Sequence, residues 1–207
     1  MDLVAPPHQV NEFNYIWKKW FNTIYEMLRG PAWGTKSSSV IAGKQGATAP
    51  TLAAFGPSGT IEAYSFAVND FVYMPGLHIP MNITPNSKVY LNVHWTTDGT
   101  DTNTVKWEVI YTYAAAETGA AFPAETTVTL ESTPAGTAWV HSVSEVTDAQ
   151  ALSNLLPETI ILARLRRVTN GGTDNTDTVF GLHIDIHFQQ DRLGSAKKDY
   201  DFYKRGN

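Results

Sequence analysis

From residue 60 onward the apolar side chains recur at every second position, a period that suits half-buried strands and excludes long helices. Val89, Leu91, Val93 and Trp95 alternate with Tyr90, Asn92 and His94. Val105, Trp107, Val109, Tyr111 and Tyr113 point one way, with Lys106, Glu108 and Thr112 on the other side. Residues 158–168, ETIILARLRRV, begin apolar and turn basic, and residues 178–190 set Leu182, Ile184, Ile186 and Phe188 inward. Further strands are expected at 60–67, 69–74, 126–131 and 138–144. The turn-rich stretch from Asp98 to Asp101 predicts an antiparallel hairpin of 89–95 with 105–113, and the stretch from Asn170 to Asn175 predicts a second between the last two strands. A brief helix is expected over 148–156, with Thr147 and Gln150 as a capping box and Pro157 as its stop. Seven or eight strands with one small crossover helix imply an all-β fold, a jelly-roll-like antiparallel β-sandwich over residues 60–192.

Ahead of that domain the period is different. Residues 1–10 form an extended arm, because Pro6 and Pro7 restrict the backbone and donate no hydrogen bond. Asn11 caps a helix in which Phe13, Ile16, Trp17, Trp20, Ile24 and Leu28 recur at spacings of three and four, with Phe21 and Tyr25 widening the stripe. Gly30-Pro31 ends it. Residues 1–30 are thus an arm and an amphipathic anchoring helix, whose aromatic load needs either the sandwich end or another subunit to cover it. Residues 31–59, rich in Gly, Pro, Ser and Thr, read as a linker or extended segment, and 193–207 as a polar tail.

Charge and chemistry narrow the function classes. Charged residues are 17% of the chain, below the usual quarter, so the polar surface is supplied largely by neutral side chains. The net charge of −5 gives no basic footprint, which argues against direct nucleic-acid binding. With no cysteine, disulfides and thiolate chemistry are excluded. The first nine residues lack a basic region followed by an apolar run, and the apolar runs are strand-sized, so neither signal peptide nor membrane span is expected. No nucleophile elbow, phosphate loop or dinucleotide fingerprint occurs, and the chain reads as non-enzymatic with no cofactor.

Two clusters remain as candidate sites. Alternation puts His183, Asp185 and His187 on one sheet face, where His94 joins them if its strand lies alongside. This set reads first as a polar outer face or a subunit contact. It reads second as Zn, Ni or Fe ligands, because ligands two apart on a flat strand diverge. Carbohydrate recognition needs exposed aromatics beside polar groups, and Trp33, Trp139, Tyr64 and Tyr73 are its candidates, while Trp95 and Trp107 belong to the core. Asp98 and Asp101 could flank a calcium or sugar site, but acidic pairs in loops are usually turn residues.

The runs VYLNVHW at 89–95, VKWEVIYTYA at 105–114 and FGLHIDIHFQQDRLGS at 180–195, with WKKWFNTIYEMLRG near the N-terminus, resemble structural proteins of tailed-bacteriophage virions. The resemblance implies a homotrimeric jelly-roll protein that decorates or stabilises the head, or connects head, collar and fibres. It would be assembled in the host cytoplasm into the virion, with major capsid, portal, collar or fibre proteins as partners. The alternative is a receptor- or carbohydrate-binding module of a fibre or tail. The resemblance brings no catalytic residues.

Overall fold

The alternating segments become two facing antiparallel sheets. The computed structural model describes residues 12–29, 32–84, 87–116, 118–153 and 155–190. In chain order these hold α1 (Glu12–Arg29), β1 (Ala32–Ser39), a single 3-10 turn (Val40–Ala42), β2 (Lys44–Gln45), β3 (Thr51–Phe55), β4 (Ile61–Ser65), β5 (Phe71–Tyr73), β6 (Leu77–His78), β7 (Val89–Thr97), β8 (Val105–Ala115), β9 (Thr126–Ser132), β10 (Ser142–Glu145), β11 (Thr159–Val168) and β12 (Val179–Gln190). The first sheet runs β10-β7-β12-β4-β3, and β1 pairs with β12 beside β4. The second runs β2-β5-β11-β8-β9, and β6 pairs with β11 beside β5. The all-β, jelly-roll-like sandwich with one N-terminal helix is therefore the fold. The expected arm at 1–10, the cap Asn11 and the tail at 193–207 lie outside the described residues.

Between the sheets the inward positions of each strand interdigitate. Val89, Leu91, Val93 and Trp95 of β7 and Ile184, Ile186 and Phe188 of β12 meet Val105, Trp107 and Val109 of β8 and Ile161 and Leu165 of β11. Each is buried, and each contributes about 1.5–3 kcal/mol relative to exposure. Trp95 Nε1 donates to Ser144 Oγ at 2.9 Å, and Ser144 bonds Ser132 Oγ at 2.7 Å, so β10 of one sheet is tied to β9 of the other. Trp107 Nε1 is buried without a partner.

Several local expectations are corrected by this packing. The segment expected as a linker or extended stretch at 31–59 is extended and paired from residue 32: β1 pairs along β12, β2 with β5 and β3 with β4, so it supplies strands to both sheets. Its small polar residues hide this, because β1 is exposed at half of its positions and shows no apolar alternation. Neither expected hairpin forms. β7 and β12 pair in the first sheet, β8 and β11 in the second. The loops 98–104 and 169–178 therefore cross between layers that pack about 10 Å apart.

Those two crossings hold each other. Asp101 accepts the N–H groups of Asn103 and Thr176 and the Thr176 hydroxyl, each at 2.8 Å, and these bonds hold its carboxyl far below the ordinary range. Asp98 accepts from Thr178 N, and Asp177 from Asp101 N. Asp98 and Asp101 are thus loop staples. The helix expected over 148–156 is reduced to one turn. Thr147 and Gln150 make their capping contacts, but Leu152 then exchanges backbone hydrogen bonds with Val89. Burial of Leu152 and Leu155 against the sandwich outweighs the local helical signal.

Candidate functional site

The outer face of the first sheet gathers the polar residues that alternation leaves outside. Register sets His183 opposite His94 and Asp185 opposite Asn92. On the other flank of β12, Ser37 lies opposite Asp185 and Thr35 opposite His187. Glu145 of β10 lies opposite Asn92. The grouping of His94, His183, Asp185 and His187 on one face is therefore realised. Between Gly181 and His183 the pairing with β7 shifts register. Leu182, expected inward, is the extra residue of that bulge and lines an outer hollow instead. Gly181 is required there, since a Cβ would sit 2.9 Å from the Phe66 ring.

Asp185 is the centre of the cluster and only 4% exposed. Its Oδ2 lies 3.1 Å from His94 Nε2 and 3.4 Å from His187 Nε2. The His94 contact is close enough for an ion pair when the imidazole carries a proton. Burial pushes the Asp185 carboxyl up, yet His94, Asn92 and His187 together outweigh it and hold the group below its ordinary value. His187 Nδ1 lies 3.8 Å from Glu145. On the far side, His94 Nδ1 and His141 Nε2 are 2.8 Å apart with the rings stacked, so one proton is shared between two imidazoles. Burial, then His94 and His183, push His141 below its ordinary value. Among the described residues no group of three or more His, Asp or Glu side chains is placed to hold a metal ion.

Two hollows open on this face. The first, about 360 Å³, is lined by Trp33, Tyr90, Glu145, Asp148 and His187. Trp33 is 58% exposed and its ring centroid is 5.8 Å from that of Tyr90, tilted by 59°. The Tyr90 hydroxyl donates to Asp148 Oδ1 at 2.5 Å, and Lys88 Nζ reaches Asp148 Oδ2 at 2.9 Å. These two donors hold the Asp148 carboxyl below its ordinary value. The second hollow, about 320 Å³, is lined by Thr35, Ser37, His94, His141, Leu182, His183 and Asp185. Alternation in the sequence pointed to Tyr90. His141, Glu145 and Asp148 carried no local signal, because they come from the irregular approach to β10, the end of that short strand and the turn after it.

The other candidates have different fates. Trp139 takes a left-handed backbone, φ 66°, and is clamped by Phe55 and Phe180 at 5.3 and 5.4 Å, so it is a packing residue. Tyr64 packs on the core, while Tyr73 is exposed on the opposite sheet beside Phe71. Within α1, Ile16, Trp17, Trp20 and Phe21 are exposed, and Ile24 and Tyr25 are half-buried. The side chains of Phe13 and Leu28 lie outside the described residues. Among the described residues α1 has no extended contact with any strand, and no helix is long and apolar enough to cross a membrane.

Fold and site together define a jelly-roll-like β-sandwich that presents a histidine- and carboxylate-rich face edged by an exposed tryptophan. No family model matches the sequence, and no curated protein matches it. Among solved structures, the chain is similar to the CBM36-1 domain of a multidomain xylanase from the hindgut metagenome of Trinervitermes trinervoides. That match has 6% identity and a TM-score of 0.39, covering 74% of this chain and 96% of that one. It is also similar to CBM35 from Cellvibrio japonicus Abf62, with 8% identity and a TM-score of 0.40 over 74% and 92% of the two chains. A third match is a chain of infectious bursal disease virus, Gx strain, with 9% identity and a TM-score of 0.39 over 78% of this chain and 32% of that one. Likeness at this level concerns the outline of the sandwich and carries nothing about ligands.

Proposed function

We propose that the protein is a non-catalytic recognition module that binds saccharide on the outer face of its first sheet. The observation that carries this reading is Trp33, a large flat side chain left exposed over a hollow rimmed by Tyr90, His187, Glu145 and Asp148. A pyranose ring has apolar C–H faces and a hydroxyl edge. The indole offers a surface for the first, and the carboxylates and imidazole offer acceptors and donors for the second. Affinity electrophoresis of the full chain through gels containing xylan, mixed-linkage β-glucan or lipopolysaccharide tests it. Retardation in one gel, lost in Trp33→Ala with an unchanged melting curve, is the expected result. No retardation in any gel, or equal retardation of the variant, overturns the reading.

A second reading, a homotrimeric virion component that decorates or joins parts of a phage particle, is favoured by α1. Ile16, Trp20 and Phe21 stand 69%, 50% and 53% exposed on a helix that, among the described residues, shares no extended contact with the strands. Such a face is covered when copies of this chain associate through it. Light scattering on the full chain should give a trimer, and Trp20→Ser with Phe21→Ser a monomer. A monomeric parent, or a variant that stays trimeric, removes this reading. The two roles are compatible, with the helix fastening and the sheet recognising.

A further inference from the structure

The two hollows lie in series on one sheet face. Tyr90 of the first and His94 of the second are four residues apart on β7, on the order of 13 Å at the rise of a strand. Across the same span on β1, Trp33 and Thr35 lead to Ser37. Between the hollows runs the contact of Asp185 with His187, at 3.4 Å, one residue lining each side. The second hollow again sets an apolar surface beside polar groups, with an aliphatic side chain in place of the indole. Leu182, turned outward by the bulge, gives an apolar patch, and Thr35, Ser37, His141 and His183 surround it with hydroxyls and imidazoles. Asp185, only 4% exposed, forms the base of this hollow beside His94.

We propose that the second hollow is a further subsite of the same surface, beyond the reach of a disaccharide seated on Trp33, so that the ligand is an oligosaccharide chain lying across β1, β12 and β7 rather than a single sugar. This rests on the saccharide reading of the Trp33 hollow. A single ring cannot reach both hollows, whereas a short chain follows the trough, with one unit against Trp33 and a later unit over Leu182. The carboxylate at the centre selects a neutral, hydroxyl-bearing unit there, because an acidic sugar would place a second negative charge beside Asp185.

The test is calorimetric titration of the full chain with the disaccharide and the hexasaccharide of xylan and of mixed-linkage β-glucan, in the parent, Trp33→Ala and His183→Ala. His183 is exposed, so its loss leaves the fold intact. Expected is tighter binding of the hexasaccharide than of the disaccharide, with His183→Ala weakening the hexasaccharide about tenfold and the disaccharide not at all. Trp33→Ala should abolish both. Equal affinity for both lengths in the parent, or a His183→Ala effect that is absent or the same for both, overturns the second subsite while the first reading stands. Binding that survives Trp33→Ala, or no binding of any probe, sinks the first reading and this one with it.

Discussion

Arg167 offers a direct test of how the site-bearing sheet is held to its partner. It is the last inward position of β11, 6% exposed, and its guanidinium donates to Phe66 O through Nη1 and to Asn175 O through Nη2, both at 2.7 Å. Burial pushes its pKa down, with Asp174 and Asp70 opposing, so it remains a cation in a dry place. Arg167→Met keeps the stem volume and deletes the donors. Each charge-assisted bond lost costs about 1.5–3 kcal/mol, and relief of the desolvated charge returns part of this. A net loss of about 2–4 kcal/mol follows, which for a domain of this size lowers Tm by roughly 5–15 °C. Arg167→Lys should restore less than half, because a single ammonium lacks the fork that spans two carbonyls. Differential scanning calorimetry reads both variants. A Tm for Arg167→Met within about 2 °C of the parent would refute the reasoning.

Two further expectations concern the core and acid. Trp95→Phe breaks the bond to Ser144, whereas Trp107→Phe deletes an unpartnered N–H, so Trp95→Phe should cost about 1 kcal/mol more in urea denaturation. Equal losses would mean that the Trp107 N–H is satisfied after all. On acidification, His141 and Asp185 act in the same direction, because both have folded pKa values below their ordinary ones. Each contributes stability that is complete above its unfolded pKa and is lost as pH falls through the folded value. Tm should decline below pH 6.5 as His141 charges and decline again below 3.8 as Asp185 is neutralised. His141→Gln should flatten the upper limb only, and a parent Tm that rises on going below pH 6.5 would contradict the assignment.

The sequence by itself determined the β class, the helix at 12–29, the inward sets of β7 and β8, and Ile184, Ile186 and Phe188 of β12, because solvent on one face and core on the other impose a period of two. It likewise put His183, Asp185 and His187 on a common face, since that follows from spacing within one strand. Only the tertiary structure decided which strands share a sheet. Loops 98–104 and 169–178 look like hairpin turns, yet they cross between layers and are tied to one another by Asp98, Asp101 and Asp177. For the same reason Trp33, Tyr90 and Asp148 met only in three dimensions. Their strand and turn positions carry no shared period, and they come together because β1, with no apolar pattern of its own, is held by backbone hydrogen bonds along β12.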